Sequence, residues 1–238
     1  MISRRHMLPM FAALPLVAAG HASAQGYGQT YALRTDAGDV IPNFRIPSTL
    51  DPALLRGIIH VGSASPDVTI YEFFDYQCPY CRSSASDLDA LLQSESSVRL
   101  ALVNNPILTL GSMQAAKVQQ ATLKLHGDAK AYELHRRLLA EKGQITGIRA
   151  LDIAKELGLD PDALSPEADS PKIADVMISQ IKLAANLGLV ATPSFVIDGV
   201  GMLGWPGSKT VRSIVASVKT CDRPVCSPAK PRAQTKKI

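Results

Sequence analysis

Two cysteines spaced Cys78-Pro79-Tyr80-Cys81 are the residues of this chain best suited to chemistry. Ahead of them, Val68-Thr69-Ile70-Tyr71-Glu72-Phe73-Phe74 is β-branched and aromatic with a single charge, the pattern of a buried strand. Asp75 to Cys78 reads as a connecting loop. Pro79 suits the first position of a helix, where its missing N–H costs nothing. That helix is expected to run to about Gln93, with Ala85, Leu88, Leu91 and Leu92 on one face. Cys78 then falls at the helix N-cap, where first-turn N–H groups point at its sulfur and the helix end carries roughly half a positive charge. Both favour the thiolate, and cysteines so placed have pKa values of about 3.5–7, against about 8.5 for a free thiol. A low pKa makes Cys78 an effective leaving group from a disulfide and a populated nucleophile when reduced. Cys81, one turn on, is placed to bond back. The expectation is that partners attack Cys78 and that Cys81 resolves the mixed disulfide.

Three other readings of the pair compete. Cys78 and Cys81 with Cys221 and Cys226 would make a set of zinc ligands. However, the first pair follows a strand and opens a helix with proline, and none of His60, His126 and His135 neighbours it in sequence. An inert structural disulfide would close so tight a ring that it restrains almost no chain. The third reading is two ordinary buried cysteines.

The elements that must position the pair follow from periodicity and breakers. Val98 to Val103 reads as a second buried strand, so the order is strand, cysteine turn, helix, strand, which implies a parallel, right-handed unit. Upstream, Tyr31–Arg34 and Val40–Ile46 flank the turn chemistry of Thr35 to Asp39 and predict a hairpin. Leu50 to Ile59 predicts a short helix, and Gly62 to Pro66 a loop. Downstream, Met113–His126, Ala129–Glu141, Ile148–Leu157 and Lys172–Leu187 predict helices, separated by Gly127, Gly143, Gly158 and the Pro161–Pro171 stretch. Pro193–Ile197 and Val200–Leu203 predict strands about an Asp198-Gly199 turn, and Ser208–Val218 a last helix. The expected division is 1–24 signal peptide, 25–66 N-terminal extension, 67–112 first part of the main domain, 113–188 helical insertion, 189–219 second part, and 220–238 C-terminal tail.

Composition narrows the function. The chain has 238 residues, 46% of them apolar and only 5% aromatic, so a core of Leu, Val, Ile and Ala is expected. Net charge is +4, and two of those charges, Arg4 and Arg5, lie in a segment expected to be removed. The remainder is nearly balanced, which argues against nucleic acid as a partner. Ser3-Arg4-Arg5-His6, the uncharged run Met7 to Gly20, and the small residues Ala22-Ser23-Ala24 read as an export signal cleaved after about Ala24. The apolar run is shorter than the roughly 20 residues that span a bilayer, although an uncleaved anchor is the alternative. Ser3 to Leu8 also resembles a twin-arginine signal. The expected location is therefore outside the cytoplasm, where an oxidising compartment permits disulfides.

Taken together, the cysteine region and the Pro193 region resemble the DsbA-like family of bacterial periplasmic thiol-disulfide oxidoreductases, the expected location then being the periplasm. The resemblance rests on Val68 to Arg82, on Ala191-Thr192-Pro193-Ser194-Phe195-Val196-Ile197-Asp198-Gly199, and on the helical insert between them, over about residues 66 to 219. It implies an α/β fold, thioredoxin-like with an inserted helical domain. It implies that Pro193 is cis and packs against the cysteines, and that Thr192 offers backbone bonds to an extended substrate. On residues alone, Pro193 reads equally as an ordinary strand-initiating proline. Glu72 stands where the family has a buried acid, a proton carrier for Cys81; the plainer reading is a glutamate reaching solvent at the sheet edge. Pro79 and Tyr80 line the substrate side. The family's strongest oxidants commonly carry His at the place of Tyr80, and Pro-Tyr also occurs in isomerase-like and glutaredoxin-like relatives.

The resemblance also implies a redox-active Cys78–Cys81 disulfide with no other cofactor and no metal. The implied partners are exported cysteine-containing proteins and a membrane redox partner. Cys221 and Cys226 lie outside it; a structural disulfide is expected there, with a second redox pair or a metal site as alternatives. The leading expectation is a dithiol oxidase, followed by a disulfide isomerase or reductase, then a copper-linked metal-handling binding protein.

Overall fold

The computed structural model describes residues 30–226. The export-signal reading of residues 1–24 and most of the expected tail, residues 227–238, lie outside the described residues. The strands are β1 (Asn43–Arg45), β2 (Ile59–Gly62), β3 (Val68–Phe74), β4 (Val98–Asn104), β5 (Ser194–Ile197) and β6 (Val200–Leu203). The helices are α1 (Pro79–Ser94), α2 (Leu110–Ala140), α3 (Gly147–Glu156), α4 (Pro161–Ala168), α5 (Pro171–Asn186) and α6 (Ser208–Cys221).

The β-branched and aromatic run at Val68 becomes β3 because it can be buried on both faces. It pairs parallel with β4 and antiparallel with β5, inside a six-stranded sheet of order β1-β6-β5-β3-β4-β2. The two-residue period of a strand decides what each side chain meets. Ile70 and Phe74 face one layer, with Leu88 and Leu91 of α1 and Val211, Ile214 and Val215 of α6. Phe73 faces the other, with Val103, Val196, Ala184, Leu187 and Leu189. Glu72 is two residues from both Ile70 and Phe74, so the pleat turns it to the α1 side. Between β5 and β6, Asp198 and Gly199 both take positive φ (49° and 67°), the two-residue turn that matches strand twist.

Helices α2 to α5 form the insert expected between the two motif regions. Gly127 sits inside α2 at φ 80°, ψ −179°, so residues on either side are separate helical segments across a kink. The fold is the thioredoxin-like α/β arrangement with a helical insertion.

Several elements differ from the sequence reading. The expected hairpin reduces to one Arg34–Val40 bridge around the 35–39 turn, and Asn43–Arg45 pairs instead with β6. Leu50 to Ile59 is not a helix. Asp51 caps a single 3-10 turn at Pro52–Leu54, Gly57 takes φ +72°, and the chain then extends into β2 along β4. The Pro161–Pro171 stretch is not a spacer, since Pro161 and Pro171 each open a helix at its first position and Pro166 lies inside α4. Asp160 caps α4 through the Asp162 N–H, and Ser170 caps α5 through the Ile173 N–H. The last helix continues past Val218 to Cys221, which is bonded to Cys226.

Candidate active site

The turn that carries the cysteines is built by Asp75. Its carboxylate accepts from the Gln77 N–H at 2.7 Å and from the Leu108 N–H at 2.9 Å, and its carbonyl accepts from the Cys78 N–H at 3.0 Å. A short side chain bonding to backbone two residues on is standard turn chemistry. Here it also ties the loop after β4 to the loop after β3. Chain direction then reverses into α1, with Cys78 as N-cap (φ −73°, ψ 118°) and Pro79 next.

Arg82, one position past the pair, fixes the other side of the turn. Its guanidinium donates twice to the Tyr76 carbonyl (3.1 and 3.0 Å) and once each to the carbonyls of Glu141 and Gly143, both at 2.9 Å. Gln77 donates to the Ile145 carbonyl at 2.6 Å. The start of α1 is thus bolted to the 141–145 loop of the helical insert.

Cys78 and Cys81 are both free thiols, 3% and 0% exposed. Cys78 lies 3.0 Å from the Thr192 carbonyl. The Thr192–Pro193 peptide is cis, and Pro193 is buried. The structure brings Thr192 to Cys78, with Pro193 next to Thr192 in the chain and Cys81 one turn of α1 from Cys78. No protein partner takes the Thr192 N–H among the described residues. Tyr80 is 66% exposed, and Pro79 is exposed beside it.

The electrostatics separate the two sulfurs. Cys78 is pulled down to about 6. The Cys81 thiol contributes most by donating to it; the Thr192 side chain and the N–H groups of Cys81 and Tyr80 add to this, against burial. The Thr192 carbonyl, which can only accept, favours the thiol form and works against these donors. Cys81 is pushed far up by burial, by its hydrogen bond to Cys78 and by the charge of an ionised Glu72. One sulfur is held as an anion and its neighbour as a thiol.

Glu72 does not reach solvent. It is 1% exposed, and burial, then the Cys78 charge, lift it to about 8, although Ser84 pulls the other way. One carboxyl oxygen, Oε1, has no hydrogen-bond partner among the described residues. A protonated acid is what a buried, unpaired carboxyl becomes near neutral pH.

The sequence did not point to a buried cluster behind the pair. Tyr76 Oη lies 3.3 Å and the Gln119 amide nitrogen 3.4 Å from His135 Nδ1. His135 also packs edge-on against Phe74 at 4.6 Å and stacks on Tyr132 at 5.9 Å. Burial, then Arg136, hold its pKa at about 3, so it is neutral. Two donors converge on Nδ1, which places the ring proton on Nε2. Sequence distance hid this contact, since His135 lies 59 residues beyond Tyr76. Cys221 and Cys226 bond to each other away from this cluster. Among the described residues, no three of His, Cys, Asp and Glu group as a metal ion would need.

Comparison with known proteins places the chain among relatives. Residues 69–218 match the model of the DSBA-like thioredoxin domain. A thioredoxin-like oxidoreductase of Silicibacter pomeroyi superposes with a TM-score of 0.65 at 31% identity, over 71% of this chain and 94% of that one. The thiol-disulfide exchange protein alpha-DsbA2 of Wolbachia pipientis superposes at 0.63 with 25% identity, over 67% and 86%. Among curated proteins, a Na(+)/H(+) antiporter NhaA 1 of Salinispora arenicola is 29% identical over 140 residues, 58% of this chain. The chain spans only 21% of that antiporter's length. No helix among the described residues is long and apolar enough to cross a membrane.

Proposed function

The chain belongs to the DsbA-like thioredoxin family of thiol-disulfide oxidoreductases, and from that premise we propose that it oxidises cysteine pairs of exported proteins in the periplasm through Cys78 and Cys81. In this reading the resting pair is a disulfide. A substrate thiolate attacks Cys78 Sγ, the Cys78–Cys81 bond breaks, and the electron pair leaves on Cys81. Glu72, whose pKa of about 8 keeps it protonated at neutral pH, supplies the proton that Cys81 needs. A second substrate thiolate then attacks the substrate sulfur of the mixed disulfide and expels Cys78 as a thiolate. The substrate has lost two electrons and the pair has gained them. A membrane redox partner reoxidises the pair.

The observation that carries this reading is the placement of the two sulfurs, Cys78 at the N-cap of α1 and Cys81 fully buried one turn on, which holds the first down to about 6 and pushes the second far up. A thiolate stabilised in the reduced form makes the disulfide the more oxidising partner. Relative to an ordinary thiol at 9.0, a pKa of about 6 favours the reduced pair at pH 7 by about 1.4 kcal/mol, or about 30 mV. Thr192 presents its free N–H and Pro193 its buried ring beside Cys78, which supports docking of the substrate as an extended strand. Pro79 and Tyr80 form the exposed side of that approach.

The test is to mix the oxidised protein with a reduced, unfolded model protein. Cys81→Ser should accumulate a mixed disulfide through Cys78, and Cys78→Ser should do nothing. Turnover that survives Cys78→Ser would overturn the reading. Direction is read from the reduction potential. A value near about −120 mV supports the oxidase, and one near about −270 mV makes the protein a reductase.

A further inference from the structure

At the start of α1, two residues past Cys78, opens a groove of about 510 Å³, whose lining includes Tyr80 and Asp87 of α1, Asp36 and Asp39 of the 35–39 turn, and Trp205 after β6. The wall formed by the 35–39 turn lies outside the family-matched residues, 69–218. The wall is seated firmly. Asp36 accepts from the N–H groups of Lys209 (3.0 Å) and Thr210 (2.8 Å), capping α6 where its N-cap residue, Gly207, has no side chain to do so. Gly207 takes φ +97°, and any side chain there would strike the Asp36 carboxylate.

Two links tie the groove to the active-site segments. Tyr80 is two residues from Cys78. Gly204, on the groove floor, donates its N–H to the Pro193 carbonyl at 2.9 Å. A segment lying along Thr192 and Pro193 therefore continues into it. The floor is apolar, with Trp205 braced against Phe195 at 5.6 Å. The rim is anionic: no lysine, arginine or histidine lines it. Asp36 is spent on the helix cap, while Asp39 and Asp87 form no ion pair among the described residues. Arg34, the cation of the turn itself, donates instead to the Gly38 carbonyl at 2.7 Å.

We propose that this groove selects substrate segments carrying a lysine or arginine a few residues from the reacting cysteine, the side-chain stem lying on Trp205 and Tyr80 and the charge between Asp39 and Asp87. This rests on the oxidoreductase reading and adds a substrate class to it. Tyr80 to Asp87 is about two turns, or about 10 Å, of α1. An extended chain covers that in about three residues, so the cation sits about three positions from the cysteine. An aromatic face below a cation and carboxylates beside it are the two elementary ways to hold a long basic side chain.

The test uses the full chain and its single tryptophan, Trp205, as reporter. Three dithiol peptides differ only in carrying Lys, Ala or Glu three positions from the first cysteine. In each reaction the peptide dithiol becomes a disulfide as the Cys78–Cys81 disulfide becomes two thiols, the two protons passing across. At low salt the Lys peptide should react about tenfold faster than the Glu peptide, the sum of two modest exposed charge pairs. Molar salt should shrink that ratio towards one. The double variant Asp39→Asn/Asp87→Asn should abolish the ratio and leave the Ala peptide unchanged.

Equal Lys and Glu rates in the wild type, or a preference that persists in the double variant, would overturn the proposal. A gain in rate on dilution would mean that a second copy of the chain fills the groove, and would overturn it too. Serine-for-cysteine versions of the peptides, titrated against Trp205 fluorescence, separate the two layers. Charge-selective binding without exchange would sink the oxidoreductase reading and keep the groove; exchange without charge selectivity would do the reverse.

Discussion

Replacing Glu72 with Gln should remove from the oxidised protein's pH–stability curve the loss that this one buried carboxyl causes as pH rises. The carboxyl is fully buried and its pKa is lifted from 4.5 to about 8, chiefly by burial. A raised folded-state pKa means that the native protein holds a proton the unfolded chain has released. Stability is therefore complete below the unfolded pKa and falls as pH rises toward the folded one. The slope is about 1.36 kcal/mol per pH unit, so from pH 5 to pH 7.5 this one group should cost at most about 3 kcal/mol, the full shift being that of the reduced protein. Using the oxidised protein removes both cysteines from the titration. It also removes the Cys78 charge, the second cause of the shift, and leaves burial, the first. The assay is urea unfolding at a series of pH values for wild type and Glu72→Gln, with the difference between them plotted. The amide matches the carboxyl in size, so packing is kept. Parallel stability curves, with no divergence above pH 5, would mean that Glu72 titrates as an ordinary carboxyl and would refute both its burial argument and its role as proton carrier.

Two further perturbations test the scaffold behind the pair. Arg82→Met keeps the stem but removes donors to three carbonyls, and should destabilise by about 2–3 kcal/mol in urea unfolding. Arg82→Lys should recover little of this, because one ammonium cannot span the fork that a guanidinium does. His135→Leu should flatten the acid limb of the stability curve. The native imidazole titrates near 3 and the unfolded one near 6.5, so wild-type stability falls by about 1.36 kcal/mol per unit as pH drops through that window. The variant should start lower at pH 7, having orphaned the Tyr76 hydroxyl, and should lose less below it.

The parts of the site carried by local patterns were legible in the sequence. The β-branched and aromatic run Val68–Phe74 marked a buried strand, and Pro79 marked the helix start that makes Cys78 an N-cap. The two-residue period of that strand turns Glu72 toward α1, although a strand pattern does not reveal whether a charge on it reaches water. What was not legible depends on residues far apart. Arg82 closes on carbonyls 59 and 61 residues away, and His135 reaches Tyr76 from the helical insert. The groove wall needs Asp36 to cap a helix 173 residues later. Short elements misled for a different reason. Leu50 to Ile59 has helical spacing, but Pro52 and Gly57 limit it to one 3-10 turn, and the four residues of β2 carry too little alternation to announce an edge strand. At α4, two prolines looked like breakers, although Asp160-Pro161 and Ser170-Pro171 are both helix starts.

The most direct check of the account follows the ultraviolet absorbance of the thiolate while the reduced protein is titrated, alongside Cys78→Ser. One thiolate should appear with a midpoint near pH 6 and vanish in the variant, with Cys81 silent through the accessible range. A first ionisation near about 8.5, or one that persists without Cys78, would contradict the claim that the start of α1 holds this sulfur as an anion.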